Sequence, residues 1–452
     1  MSGGGGGDVG PAAAPASGES SPVYELTGEF EYALDRFEAG GHLFVTGRAG
    51  TGKSTLLSLI RRTTRRNIAV VAPTGVAALN VRGQTLHSFF GFPGKLLRPR
   101  DVRRRKNPYL YQKLDTLVID EVSMVRADLL DRVDESLRLN RDEPDLPFGG
   151  VQVVMFGDLF QLPPVVASDA ERALFEWEAA TYRSPYFFDA RVWQTEAGDE
   201  LEMIELNTVF RQKARQFVRL LDALREGHFD FDDLVDLNVR VVDEGVFGDR
   251  AAITLTSTNR LADAINQREL ARLSAKPTRY VGTLEGNFDA RNLPTELALA
   301  LKPGAQVMFV RNDPQKRYVN GSIGRVVSAE AERLIVHLEE NGEAREIEVA
   351  EETWQNIRYT VDEATGRIAE DVTGVFRQYP LKLAWAITIH KSQGKTFERM
   401  HLDLGRGAFE SGQTYVALSR CRTLDGIRLA RPLRPGDVIV DERVCDWYGA
   451  RR

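Results

Sequence analysis

At 452 residues the chain is too long for one ordinary core, so two to four domains are expected. Hydrophobic residues at 42% and charged residues at 27% are normal for a globular protein, no run of about 18 apolar residues offers a membrane span, and the net charge of −6 alone argues mildly against a nucleic-acid partner. Two cysteines, Cys421 and Cys445, lack metal-type spacing, which argues against a disulfide scaffold or a zinc site and fits a reducing cytoplasm.

The opening stretch, 1–22, is dominated by Gly, Ala, Pro and Ser and lacks the basic and apolar regions of a secretory signal. Such a segment buries too little surface to offset its ordering entropy and is expected to be disordered. From about residue 23 to 197, short apolar runs alternate with helix-like segments. "HLFVTG", "NIAVVAPTG", "TLVIDE" and "VQVVMFGD" each end in a glycine or an acid, as buried parallel strands do before functional loops. The spacing predicts a first α/β domain over 23–84 and 111–197. It is interrupted by a small insertion at 85–110, where "KLLRPRDVRRRK" carries seven basic residues and one acid. That run reads either as a solvated loop or as a contact for an anionic partner.

A second α/β pattern is expected over 198–305 and 379–452, from "ARQFVRLLDALREG" and "AITLTSTN" to "VIVDERV". Within it, "QVMFVRN", "IGRVVSAE", "RLIVHLEE" and "EIEVA" alternate apolar with polar residues, with "NG" at 320–321 and 341–342. This predicts a small antiparallel barrel inserted at 306–378.

Gly47, Gly52, Lys53 and Ser54 fit the phosphate-binding pattern G-x-x-x-x-G-K-[ST] between a strand and a helix. Glycines let backbone N–H groups wrap phosphates, Lys53 reaches the terminal ones, and the Ser54 hydroxyl suits Mg²⁺. In "LVIDEVSM", Asp120 follows a buried strand and would share the Mg²⁺, while Glu121 orients or deprotonates water. A water-activating carboxylate points to ATP hydrolysis rather than transfer to a small acceptor. No Asn-Lys-x-Asp motif follows the P-loop, and a second α/β half has no role in a nucleotide kinase or GTPase. "GDLFQLPPV" is either a Pro-stiffened turn or a loop whose Gln161 senses the γ-phosphate.

Taken together, the P-loop, "APTGVAALNVRGQTLHSFF", "DEVSM", "PFGGVQVVMFGDLFQLPPV", "LNTVFRQ", "LAWAITIHKSQGKTFERMHLDLG" and "TYVALSRCR" resemble, in order from Phe44 to Arg422, the motifs of superfamily-one DNA helicases of the Pif and RecD-type branch. The segment 128–150 is similar to the signature of Pif-type members. The resemblance implies two RecA-like P-loop domains in tandem, with a small insertion in the first and an SH3-like barrel in the second, acting as a 5′→3′ helicase on ATP and Mg²⁺. Its implied partners are single-stranded DNA and tailed or forked duplex, with G-quadruplexes among the candidate structures, and a monomer is expected in the free protein. An ATP-gated nucleic-acid clamp that separates strands poorly would share every motif.

By the same resemblance Lys53, Asp120, Glu121, Gln161, Arg211 and Arg420 form the hydrolytic centre, the two arginines reaching across from the second domain. Gly47, Ala49, Gly50, Thr51, Gly52, Ser54, Thr55, Gln393 and Gly394 surround the nucleotide. Thr74, Gly75, His87, Asn259, His390, Lys391 and Ser392 are implied to face the DNA backbone. Phe89, Phe90 and Phe92 have two readings, stacking on bases or packing in the core. In a helicase the basic run reads better as a DNA-proximal insertion. The glutamine the family carries upstream of the P-loop is missing from "ELTGEFEYALDRF", which puts adenine selectivity in question.

Overall fold

The computed structural model describes residues 27–94, 96–175, 181–212, 214–242, 252–288, 290, 293–340 and 343–452; the tail at 1–22 and the turn at 341–342 lie outside them. Two parallel sheets carry the nucleotide chemistry. The first has six strands, in the order Gln84–Thr85, Ile68–Ala72, Thr116–Ile119, Gln152–Phe156, Leu43–Gly47 and Glu202–Leu206. Its central strands are buried on both faces, so they read as unbroken apolar runs rather than alternations. The last strand was expected in the second domain, which the sequence pattern starts at 198. It instead pairs in parallel with Leu43–Gly47 along its whole length.

The second parallel sheet orders Ala386–Thr388, Ile253–Thr256, Met400–Asp403 and Ile427–Leu429. Helices Arg215–Glu226, Asn259–Arg272 and Gln413–Ser419 accompany it, the first burying Phe217, Leu220, Leu221 and Leu224 along one face. "VIVDERV" forms no strand; it leads into the helix Glu442–Gly449.

The antiparallel part starts earlier and ends later than the pattern at 306–378 indicates. Five strands, Glu343–Glu348, Leu334–Glu340, Ile323–Ala329, Gln306–Phe309 and Leu381–Leu383, form one sheet over a core of Val307, Phe309, Val326, Val336 and Leu381. A long hairpin, Glu352–Val361 with Ile368–Gln378, pairs with Thr283–Gly286. This hairpin reaches back to the edge of the first sheet. The Tyr359 N–H donates to Gln84 Oε1 at 3.0 Å, the Val70 N–H donates to Tyr359 Oη at 3.1 Å, and the Ile368 N–H donates to Asn67 Oδ1 at 3.1 Å.

The segment 128–150 is scaffolding. Helix Ala127–Arg141 buries Asp128, Asp131, Arg132 and Asp134 together with its apolar residues. Burial of such charges requires partners. Asp131 accepts from Tyr182 Oη at 2.8 Å and from the Val192 N–H at 3.2 Å, and Asp134 accepts from the Phe148 N–H at 2.6 Å. Phe148 and Gly149 both take left-handed backbone, where a Cβ at 149 would stand 2.9 Å from the Leu137 carbonyl oxygen.

Candidate active site and DNA-facing residues

The loop after strand Leu43–Gly47 turns through Gly47, Gly50 and Gly52, all at positive φ. A Cβ at Gly50 would lie 2.5 Å from Arg211 Cβ, and one at Gly52 would lie 2.8 Å from the Phe30 ring, so only glycine allows this close wrap. Gly52 starts helix Lys53–Thr63, leaving the first N–H groups of that helix free of intrahelical partners and suited to anions. Lys53 Nζ donates to the carbonyls of Gly47 and Arg48 at 2.6 and 3.0 Å. Burial pushes its ammonium down to about 8, against the attraction of Asp158 and Glu121. Ser54 is exposed at the helix start, and Thr51 holds the loop through its hydroxyl on the Arg48 carbonyl at 3.0 Å.

Asp120 and Glu121 follow strand Thr116–Ile119 side by side, with Glu121 in left-handed backbone at φ 50. Burial and the Glu121 charge lift Asp120 to about 7; burial likewise raises Glu121, while Lys53 and Arg420 oppose the rise. A carboxylate and a serine hydroxyl are hard oxygen donors of the kind a divalent cation takes, so the chemistry of Asp120 and Ser54 fits Mg²⁺.

Behind them lies a buried network. Burial alone would raise the Asp158 carboxyl, but Arg225 and Lys53 hold it below the usual range. Arg225 Nη2 donates to Asp158 Oδ1 at 3.0 Å, with both side chains fully buried, and its guanidinium lies 4.2 Å from the centre of the Phe160 ring. Tyr415, on helix Gln413–Ser419 of the second lobe, donates to Asp158 Oδ2 at 3.1 Å and accepts from the Ala49 N–H at 3.1 Å. One hydroxyl therefore joins the P-loop, the "GDLFQ" loop and the second lobe. Gln161 reaches Asp158 Oδ2 at 3.4 Å, and Gly412 packs so closely that a Cβ would meet the Gln161 carbonyl oxygen at 2.5 Å.

Arg420 ends helix Gln413–Ser419, bonded to the Val416 carbonyl at 2.9 Å and Ser419 Oγ at 2.8 Å. Arg211 comes from the connection between the lobes rather than from the second sheet, since the Phe210 N–H beside it donates to the Gly50 carbonyl at 2.9 Å. Burial depresses both guanidiniums, and the charge of Arg420 adds to the effect on Arg211. Arginine stays protonated throughout the ordinary pH range, so this crowding describes a site with more cations than anions. Lys53, Glu121, Gln161, Arg211, Arg420 and Arg422 face one cleft of about 680 Å³, together with the P-loop, Phe30 and Phe210. Gly394 lines it too, and neighbouring Gln393 keeps a buried amide nitrogen with no partner among the described residues. Phe30, Phe210, Asp158, Arg225 and Tyr415 were not singled out from the sequence, although the last three lie in segments whose patterns were visible.

The structure separates the expected DNA-facing residues. Thr74 caps helix Gly75–Asn80, accepting from the Ala77 N–H at 3.2 Å. His87 is half-buried, and burial, then Arg126, holds its imidazole below its usual range. Asn259 and Lys391 are exposed at helix starts, and His390 Nε2 lies 3.1 Å from Glu410 Oε2. Three expectations are corrected. Ser392 is fully buried and its hydroxyl turns back onto the Ile389 carbonyl at 2.7 Å, so its side chain is not presented at the surface. Phe89 and Phe92 belong to the core: Phe89 packs edge-on against Phe90 and Tyr111, and Phe92 stacks on Phe90 at 5.4 Å. Their rings have no open face for a base, because apolar burial of an aromatic competes with any use of it as a platform. In the basic run Arg103, Arg104 and Arg105 are exposed, and Arg104 pairs with Asp142.

A P-loop on one parallel sheet, closed by an interlobe arginine and by an arginine at the end of helix Gln413–Ser419 in the second lobe, defines a two-lobed P-loop nucleoside triphosphatase. The chain belongs to the PIF1-like helicase family, which matches residues 29–234. It is 33% identical over 441 residues to the ATP-dependent DNA helicase Pif1 of Bdellovibrio bacteriovorus, covering 94% of this chain and 93% of that protein. Its structure resembles Bacteroides Pif1 in complex with ADP-AlF4 at a TM-score of 0.84 and 35% identity, over 94% of this chain and 96% of the other. Against Bacteroides Pif1 bound to single-stranded DNA the TM-score is 0.66, at 37% identity and the same coverage. The mixed α/β architecture with two RecA-like lobes is that of these relatives.

Proposed function

We propose that the protein is an ATP-dependent DNA helicase that moves 5′→3′ along a single strand and opens tailed or forked duplex. The observation that carries this reading is the convergence of Lys53, Arg211 and Arg420, from the P-loop, the interlobe connection and the second lobe, on one cleft. A polyphosphate in that cleft draws the arginines toward it, so nucleotide binding favours closure and hydrolysis favours opening. The P-loop backbone and Lys53 hold the phosphates. Glu121 accepts the proton of the attacking water, and Arg211 and Arg420 stabilise the charge that develops on the transferred group. Mg²⁺, when bound, neutralises phosphate charge; Ser54 and Asp120 are the residues that would hold it. Gln161, hydrogen-bonded to Asp158, ties the γ-phosphate end of the cleft to the Tyr415 network and so to the second lobe. Thr74, Gly75, His87, Asn259, His390 and Lys391 are the proposed contacts to the strand, made to phosphate without reading sequence.

The direction of movement rests on the resemblance of segment 128–150, the "GDLFQLPPV" loop and the antiparallel insertion to the 5′→3′ branch. Among the described residues no helix is long and apolar enough to cross a membrane, and the free thiols Cys421 and Cys445 support a cytoplasmic setting. The test is strand displacement with ATP on duplexes bearing one tail. A 5′ tail supports unwinding and a 3′ tail does not. Unwinding from the 3′ tail alone would overturn the direction, and ATP turnover unaffected by single-stranded DNA would overturn the motor.

A further inference from the structure

Two lysines, Lys382 and Lys395, are used neither by the nucleotide cleft nor by the contacts above, and Lys391, one of those contacts, acts on the first of them. Lys382 lies on strand Leu381–Leu383, in register with Met308 of the antiparallel sheet. Lys395 follows the short helix Ile389–Ser392, and its side chain is nine-tenths buried. Its ammonium donates to Asn320 Oδ1 at 2.6 Å. The turn at Asn320–Gly321 closes over it, with a Cβ at Gly321 placed 3.4 Å from both Lys395 Cβ and the Thr396 carbonyl oxygen. Lys391, exposed on the same short helix, repels Lys382, and Lys382 repels Lys395. Glu296 acts on Lys382 through space, but among the described residues no carboxylate is bonded to Lys382 or Lys395.

Crowding ammonium groups out of water without counter-ions is unfavourable unless an anion completes the set. Burial, with the neighbouring lysine second, pushes Lys382 and Lys395 each down to about 8. We infer that Lys382, Lys391, Lys395 and Asn320 form a seat for a backbone phosphate of the DNA strand, at the seam between the second lobe and the antiparallel insertion. The inference rests on the helicase reading. Nucleotide phosphate is the poorer occupant, because Gly394 and Thr396 line the nucleotide cleft while Lys395 between them does not. Gly394 and Thr396 thus line the nucleotide cleft while the Lys395 side chain between them reaches Asn320. Lysine binds phosphate as a point charge, so the seat is indifferent to sequence.

The test is equilibrium binding of a labelled oligothymidine to the full chain, as a function of salt and pH. Loss of one phosphate contact, in Lys382→Met or Lys395→Met, lowers the magnitude of the log–log salt slope by about 0.7. Binding the phosphate raises the lysines above about 8, so affinity is level below pH 8 and falls as pH rises from 8 to 10, by up to about tenfold per pH unit for each lysine. Lys395→Arg keeps the charge, and with it near-wild-type affinity, while weakening that pH dependence. Wild-type slopes and pH profiles in both Met variants would overturn the seat while leaving the helicase reading intact. Absence of single-strand binding by the wild-type chain would instead overturn that reading. Inorganic phosphate that protects the wild type from thermal unfolding but not the Met variants, with unchanged DNA slopes, would assign the cluster to a free anion and overturn the DNA seat.

Discussion

Replacing Tyr415 with Phe removes one oxygen and keeps the ring, so the packing of helix Gln413–Ser419 survives and only hydrogen bonds are lost. Two disappear: the Ala49 N–H loses its acceptor at 3.1 Å, and Asp158 loses a donor at 3.1 Å. Burial pushes the phenol pKa up, so the hydroxyl is a donor to Asp158 throughout the working range. Asp158 keeps Arg225, at 3.0 and 3.2 Å, but the Ala49 N–H is left buried without a partner. A neutral bond contributes about 1 kcal/mol, a bond to a charge about 1.5–3, and the two together about 2.5–4 kcal/mol. Both bonds cross between the lobes, so the loss falls on the closed arrangement in which hydrolysis occurs. At about 1.4 kcal/mol per factor of ten, kcat/KM for DNA-stimulated ATP hydrolysis falls on the order of 60- to 700-fold. The assay is steady-state phosphate release at saturating single-stranded DNA. A fall of less than about threefold, roughly 0.6 kcal/mol, would refute the argument that this hydroxyl ties the lobes together.

Lys53→Ala abolishes ATP hydrolysis, a fall of at least about 10³ in turnover, while the circular-dichroism spectrum is unchanged, since the ammonium bonds only loop carbonyls. Arg211→Ala and Arg420→Ala each lower DNA-stimulated turnover on the order of 10³ with a smaller effect on nucleotide affinity; normal turnover in both would remove the closing cleft from the mechanism. His42 is buried between Phe148 and Trp193 and accepts the Val153 N–H at 3.1 Å, which requires a neutral Nδ1, and burial holds its pKa at about 4. Its contribution to stability is full above pH 6.5 and is lost as pH falls toward 4, by about 3 kcal/mol. Urea midpoints followed by Trp193 fluorescence in wild type and His42→Gln test this, and identical pH slopes would count against it.

The central strands of the first sheet were legible because a strand covered on both faces leaves an uninterrupted apolar run. Glu202–Leu206 was assigned to the wrong lobe because, as an edge strand, it alternates; Glu202 faces Arg36 and Tyr32 rather than the core. Gly47, Lys53 and Asp120 could be read because their chemistry depends on local spacing. Phe89 and Phe92 could not, since proximity to a basic run says nothing about which way a ring points, and the neighbouring Tyr359 that covers Phe89 lies 270 positions along the chain. Asp158 and Tyr415 stood inside recognised motifs, yet their partnership across the lobes depends on tertiary placement. The long hairpin lies within the antiparallel barrel expected at 306–378, but its reach to the first sheet was not legible, because the contacts of Tyr359 and Ile368 with Val70, Gln84 and Asn67 join residues 275 to 301 positions apart.

That hairpin makes the molecule a closed linkage. The antiparallel insertion is joined to the second lobe by the chain and to the first by the bonds of Tyr359 and Ile368, so three bodies meet in a loop. In such a loop no body turns alone. Opening the cleft either swings the insertion or detaches the far end of the hairpin, whose first strand of ten residues spans about 33 Å. Any rotation between the lobes must therefore be taken up by the insertion or by the bonds at the far end of this hairpin.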